Sequence, residues 1–158
     1  MDEDARFEDA REAPLHLKAM DTEDLAILSA LVQDAVFPVT EMTWDKKSRR
    51  FALLINRFRW EDANAAVNRR RNFERVQSVL AIEDVQKVVT QGFDRAEKDM
   101  ILSLMSVSFQ PGGDGTGRLE LTLAGDGAIA IDVEALEITL KDVTRPYIAP
   151  SRTKPEHD

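Results

Sequence analysis

From Phe51 onward, apolar and polar residues alternate with a period of two over most of the chain, and this commits it to extended strands that each bury one face. Leu119, Leu121 and Leu123 share a face in one run, Ile129, Ile131 and Val133 share a face in the next, and Asp126-Gly127 lies between them. An Asp-Gly pair in that position predicts a two-residue hairpin, because both central residues of a type I′ turn need positive φ. Ile101, Met105, Val107 and Phe109 are expected on one face of the preceding run, and further strands are predicted over 73–82 and 85–91, the latter closed by Gly92. The run 51–60 is apolar on both faces at its start, with Phe51, Leu53 and Ile55 opposed to Ala52 and Leu54, so it belongs at the centre of the sheet. Its antiparallel partner runs through Val36, Pro38, Met42 and Trp44, across a polar loop at 45–49.

Before the alternation begins, the period is 3.6. Leu15, Leu17 and Ala19 suggest a short strand, followed by a helix with Asp21 as N-cap and Glu23 and Asp24 at the positive end of its dipole. Leu25, Leu28 and Val32 form its apolar stripe, and Pro38 forces an end near Ala35. The segment 134–143 reads two ways. Leu136, Leu140 and Val143 fit a helix, whereas Leu136, Ile138 and Leu140 fit a strand, and the branched Ile138, Thr139 and Val143 favour the strand. The expected fold is therefore α+β, a mainly antiparallel β sandwich or half-open barrel with one N-terminal helix. The alternative is a pleckstrin-homology-like barrel closed by a C-terminal helix over 134–143.

No Gly/Ser/Pro-rich linker divides the chain, so one domain is expected over 15–143, after a disordered acidic leader at 1–14 and before an extended Pro-containing tail at 144–158. Six acidic residues in the first twelve are the opposite of a secretory n-region, and no apolar run approaches the roughly 20 residues of a membrane span. The absence of cysteine removes disulfides, thiolate metal sites and cysteine nucleophiles, and a cytoplasmic location without membrane association is expected.

Net charge is −8, which disfavours a general nucleic-acid binder. Between Lys46 and Val76, however, ten basic residues face three acidic ones, so this stretch is +7 in a chain that is otherwise −15. Arg57 and Arg59 stand two residues, about 7 Å, apart along a strand, and Arg69, Arg70 and Arg71 follow in the next loop. Their guanidinium forks suit a phosphate or carboxylate, and these five arginines are the candidate anion or partner site. The competing reading is that each pairs with a carboxylate of this acidic chain.

Other constellations carry less. The glycine-rich loop at 111–117 could cradle a phosphate, but it joins two strands and lacks the Gly-Lys-Ser/Thr ending of a P-loop, so a hairpin loop is expected. Two histidines, His16 and His157, leave no material for a triad or a histidine metal cluster, and no catalytic residue, metal or cofactor is expected. Trp44, Phe58 and Trp60 could form an aromatic platform, though at alternate strand positions they fit the core better.

With these segments laid out, the sequence resembles the family known as domain of unknown function 2948, a group of bacterial, mostly alphaproteobacterial proteins. The resemblance runs from about Leu15 to the tail. It rests on Leu28-Ser29-Ala30, Gln33-Asp34-Ala35, Arg49-Arg50-Phe51-Ala52-Leu53, Asn56-Arg57-Phe58, Trp60-Glu61, Arg69-Arg70-Arg71, Leu102-Ser103-Leu104 and the stretch from Ala124 through Gly127 to Ile129. It implies a cytoplasmic bacterial protein and brings no assigned activity with it.

Three functions are consistent with these residues. The first is a non-enzymatic binding or adaptor module that engages an acidic protein or anionic small ligand through the arginines. The second is an enzyme acting on a phosphorylated or carboxylated metabolite, with Glu61, Asp62 or Asp84 as acid/base. The third is an RNA-binding protein using the basic hairpin.

Overall fold

The computed structural model describes residues 14–62 and 74–148. Within them the strands are β1 (His16–Ala19), β2 (Ala35–Pro38), β3 (Met42–Asp45), β4 (Arg50–Phe58), β5 (Glu74–Ile82), β6 (Val85–Gln91), β7 (Ile101–Pro111), β8 (Gly117–Leu123), β9 (Ala128–Val133), β10 (Ile138–Asp142) and β11 (Tyr147–Ile148). The helix α1 spans Thr22–Leu31 between β1 and β2. The hydrogen-bonded order is β1-β10-β5-β4-β2-β7-β8-β9-β6, with β3 added on β4 and β11 on β5. Every pairing given for these strands is antiparallel.

The sheet folds over at β2. That strand pairs with β7 over all four of its residues but meets β4 only at Val36↔Asn56, because the N-terminal half of β4 is taken by β3. The halves on either side turn their alternate residues toward one core. Phe51, Leu53, Ile55, Leu80, Ile82, Ile138 and Leu140 contribute from one half, and Phe37, Leu104, Leu119, Leu121, Ile129 and Ile131 from the other. The end strands β1 and β6 do not pair, so the sheet is an open sandwich and not a closed barrel. The α+β expectation holds, and β4 is central as its two-faced apolarity required. The barrel with a C-terminal helix does not form, since Ile138–Asp142 is a strand between β1 and β5.

Local differences have local causes. Asp21 caps α1 as expected, its carboxylate accepting the Asp24 N–H at 2.8 Å. The helix stops at Leu31, short of Ala35, because Ala35 is drawn into β2 opposite Leu104 and Asp34 turns the chain at φ 66°. In β7 the register shifts between Leu104 and Ser106, so the inward residues are Leu102, Leu104 and Val107, while Ile101 is exposed. That bulge is tied to the helix by the Val107 N–H, which donates to Ser29 Oγ at 2.9 Å. The β8–β9 hairpin is present, but positive φ falls on Gly125 and Asp126, one residue earlier than Asp126-Gly127. Gly92 also has positive φ and lies so close to the hairpin that a Cβ would stand 2.7 Å from the Asp126 carbonyl oxygen.

Candidate functional site

Arg57 follows Ile55 on the inward face of β4, where the alternation calls for another apolar side chain. It is fully buried. A guanidinium taken out of water without partners costs several kcal/mol, so the neighbouring strands must supply acceptors. They do so from one cross-strand row, in which Ser78 of β5 stands opposite both Ile55 of β4 and Asp142 of β10. Arg57 Nη2 donates to Asp142 Oδ1 and Oδ2 at 3.0 and 3.1 Å, and Nε donates to Ser78 Oγ at 3.1 Å and Asp142 Oδ1 at 3.2 Å. The Ser78 hydroxyl donates to Asp142 Oδ1 at 2.7 Å.

Toward solvent, Glu61 closes the cluster with a two-pronged contact, accepting from Nη1 at 2.9 Å and Nη2 at 2.8 Å. Burial alone would raise the Glu61 carboxyl, but the hydrogen bonds and charge of Arg57 outweigh it, and its pKa lies below the ordinary carboxylate range. Burial likewise pulls Arg57 down, and Glu61 and Asp142 more than reverse it, so the guanidinium stays charged. Asp142 also accepts the Leu15 N–H through Oδ2 at 2.9 Å, which fastens the start of β1 to the cluster.

Arg59 lies just past the end of β4 and is 5% exposed. Its Nη1 donates to Glu74 at 3.3 Å, and its backbone N–H donates to the Glu74 carbonyl at 3.0 Å. Arg57 and Arg59 therefore meet at one end of the sheet, each against a carboxylate of this chain. Arg69, Arg70 and Arg71 lie outside the described residues. The chain on either side of 63–73 is fixed by these same pairs: Glu61 is held by Arg57, and Glu74 by Arg59 and by Ile148 of β11. Leu15, Glu61, Glu74 and Ile148 thus all lie at this end of the sheet.

The sequence reading did not assign Ser78 and Asp142 to the site. Their signal was present, because each falls in phase with a buried apolar series, Val76-Ser78-Leu80-Ile82 and Ile138-Leu140-Asp142. A polar residue in register with an apolar face must find a buried partner.

The remaining candidates are architectural. Phe58 and Trp60 pack edge to face, with ring centroids 4.7 Å apart, and the Trp60 indole donates to the Gln33 carbonyl at 2.9 Å just beyond α1. His16 is an exposed β1 residue opposite Lys141. The 111–117 loop closes on itself as a hairpin: the Gly112 N–H donates to the Thr116 carbonyl at 2.7 Å, and the Thr116 hydroxyl donates to the Gly113 carbonyl at 2.6 Å. Glu61 and Asp84 lie toward opposite ends of β5, so they do not converge on one substrate, and the Asp62 side chain is outside the described residues. Among the described residues, no three of His, Cys, Asp and Glu come together to hold a metal ion, and no helix is long and apolar enough to cross a membrane.

The fold and this cluster define an open antiparallel α+β sandwich with a buried arginine–carboxylate knot at one end. Residues 15–157 match the family model described as "Protein of unknown function (DUF2948)", and the chain belongs to that family. No curated protein and no solved structure matches it.

Proposed function

We propose that the protein is a non-enzymatic binding module that engages an acidic protein partner or anionic ligand through the segment 63–73, with Arg69, Arg70 and Arg71 as its contacts and Arg57 and Arg59 as its supports. The observation that supports this reading is the burial of Arg57 against Glu61 and Asp142, which engages this guanidinium within the fold and leaves Arg69, Arg70 and Arg71 as the proposed contacts. A guanidinium already satisfied by two carboxylates gains little from an added phosphate, which would have to displace Glu61. The same bonds hold Glu61 at one root of the 63–73 segment, and the Arg59–Glu74 contacts hold the other. A binding loop fixed at both roots loses less freedom when it binds.

Glu61 favours binding over catalysis. Its carboxyl is held ionised and saturated by Arg57, a poor condition for a group that must exchange a proton near neutral pH. The net charge of −8 disfavours a general RNA binder, and because Arg49, Arg50 and Arg57 are already paired with Glu134, Glu83 and Asp142, the reading rests on the local charge of Arg69, Arg70 and Arg71. A cytoplasmic location is part of this reading, motivated by the lack of cysteine. The test is affinity capture compared by quantitative mass spectrometry between the wild type and the triple charge reversal Arg69→Glu, Arg70→Glu, Arg71→Glu. Specific partners should disappear from the reversal. Partners retained at full strength through about 0.5 M salt would remove the electrostatic mechanism.

A further inference from the structure

A second basic site lies at the other end of β4, eight residues from Arg57, or roughly 25 Å at the rise of a strand. There the β3–β4 hairpin approaches β6 and leaves a groove of about 550 Å³ lined by Trp44, Lys46, Arg49, Val85, Lys87 and Val88 together with Gln86. The half-buried Trp44 packs against the core, while Lys46 and Lys87 stand exposed around the same groove.

Three of the nearby carboxylates are already engaged, and Asp84 acts at longer range on Arg49. Glu134 holds Arg49 at 2.7 Å and accepts from Gln86 at 3.2 Å, Glu83 holds Arg50 at 2.7 Å, and Asp45 caps its own turn through the Lys47 and Ser48 N–H groups at 3.1 and 3.3 Å. Lys46 and Lys87 have no carboxylate partner among the described residues, in a chain with 29 acidic side chains against 21 basic ones. Two ammonium groups with no carboxylate in direct contact among the described residues thus stand beside an indole around one groove.

The walls of the groove are set by two tight connections, with Arg49 closing the β3–β4 hairpin and Asp84 turning β5 into β6. Arg49 and Asp84 both hold positive φ, 59° and 56°, and each carbonyl is used to fix the groove wall, Arg49 accepting from Val85 at 2.9 Å and Asp84 from Glu134 at 3.0 Å. The β6 register also shifts between Val85 and Lys87, and bulges of this kind re-aim a side chain beside a site.

We infer that this groove binds a small molecule that joins a planar ring to a phosphate, the ring against Trp44 and the phosphate between Lys46 and Lys87. The chemistry follows from the lining: an indole offers a stacking face, two ammonium groups match the double charge of a phosphate monoester, and Arg49 held by Glu134 stiffens the floor. The inference does not rest on the 63–73 segment, and the two fail separately.

The probe is AMP, with adenosine and inorganic phosphate as its halves, titrated into the full chain and followed by the two indole N–H resonances of Trp44 and Trp60 in a nitrogen-15 correlation spectrum. The expected result is a saturable shift of the Trp44 resonance by AMP with Trp60 unmoved. Binding should be more than tenfold weaker for either half, and more than tenfold weaker for AMP in Lys46→Glu/Lys87→Glu. Because both lysines are exposed, that variant should keep the wild-type spectrum elsewhere. The Arg69→Glu, Arg70→Glu, Arg71→Glu variant should bind AMP like the wild type. No saturable shift up to about 10 mM AMP, or equal affinity in the double variant, overturns the inference.

Discussion

Arg57 is where sequence reasoning and structure part most sharply. Its position after Phe51, Leu53 and Ile55 placed it on the buried face of a central strand, and that same placement makes it a structural cation before it is a ligand-binding one. What the sequence could not reveal is which carboxylates would reach it, since Asp142 lies 85 residues away and arrives only through the β5–β10 pairing. Replacing Arg57 by alanine leaves Asp142 buried without its cation, so a loss of about 3–5 kcal/mol is expected in urea unfolding. The exposed Arg118–Asp132 pair, with Arg118 53% accessible, provides the contrast: Arg118→Ala should leave the urea midpoint unchanged within error. Glu61 adds a pH signature. Its folded-state pKa is lowered, so its contribution to stability is complete above the ordinary carboxylate range and is lost as pH falls through the folded value. Urea midpoints measured from about pH 7 to about pH 3 should therefore fall less steeply in Glu61→Gln than in the wild type.

Among the elements, most strands could be read from the alternation of apolar residues because each buries a single face. The alternation gives Val85–Gln91 its observed bounds, β7 runs two residues past 109, and Glu74–Ile82 is strand while residue 73 lies outside the described residues. The failures share a cause in tertiary pairing that local pattern does not encode. The β7 bulge at Met105 moved Ile101 outward, and the capture of Ala35 by β7 shortened the helix. The β8–β9 turn settled one residue early, where Gly125 and Asp126 carry positive φ at 77° and 65°. Gly92, which closes β6, is constrained by both its φ of 81° and the backbone of Asp126 and Gly127 pressed against it. Gly92→Ala should cost about 1–3 kcal/mol, seen as a lower melting temperature, whereas the same change at the open Gly113 should be nearly neutral.

On the scale of the whole molecule, the two ends of β4 are chemically different. At one end, arginines are neutralised inside the sheet and hold the roots of 63–73; at the other, Lys46 and Lys87 face a groove beside Trp44. The +7 charge of the 46–76 stretch was visible from the sequence, but the burial of Arg57 and Arg59 against carboxylates of the same chain was not, because that depends on which strand face each residue occupies in the folded sheet. The central claim is that Arg57 supports and Arg69 to Arg71 contact. The most direct test measures thermal stability and partner capture side by side for Arg57→Ala and for the triple reversal at 69–71. The reversal should keep the wild-type melting temperature within about 2 °C and lose its partners, while Arg57→Ala should melt well below the wild type. A reversal that captures the same partners as the wild type, or an Arg57→Ala variant as stable as the wild type, would contradict it.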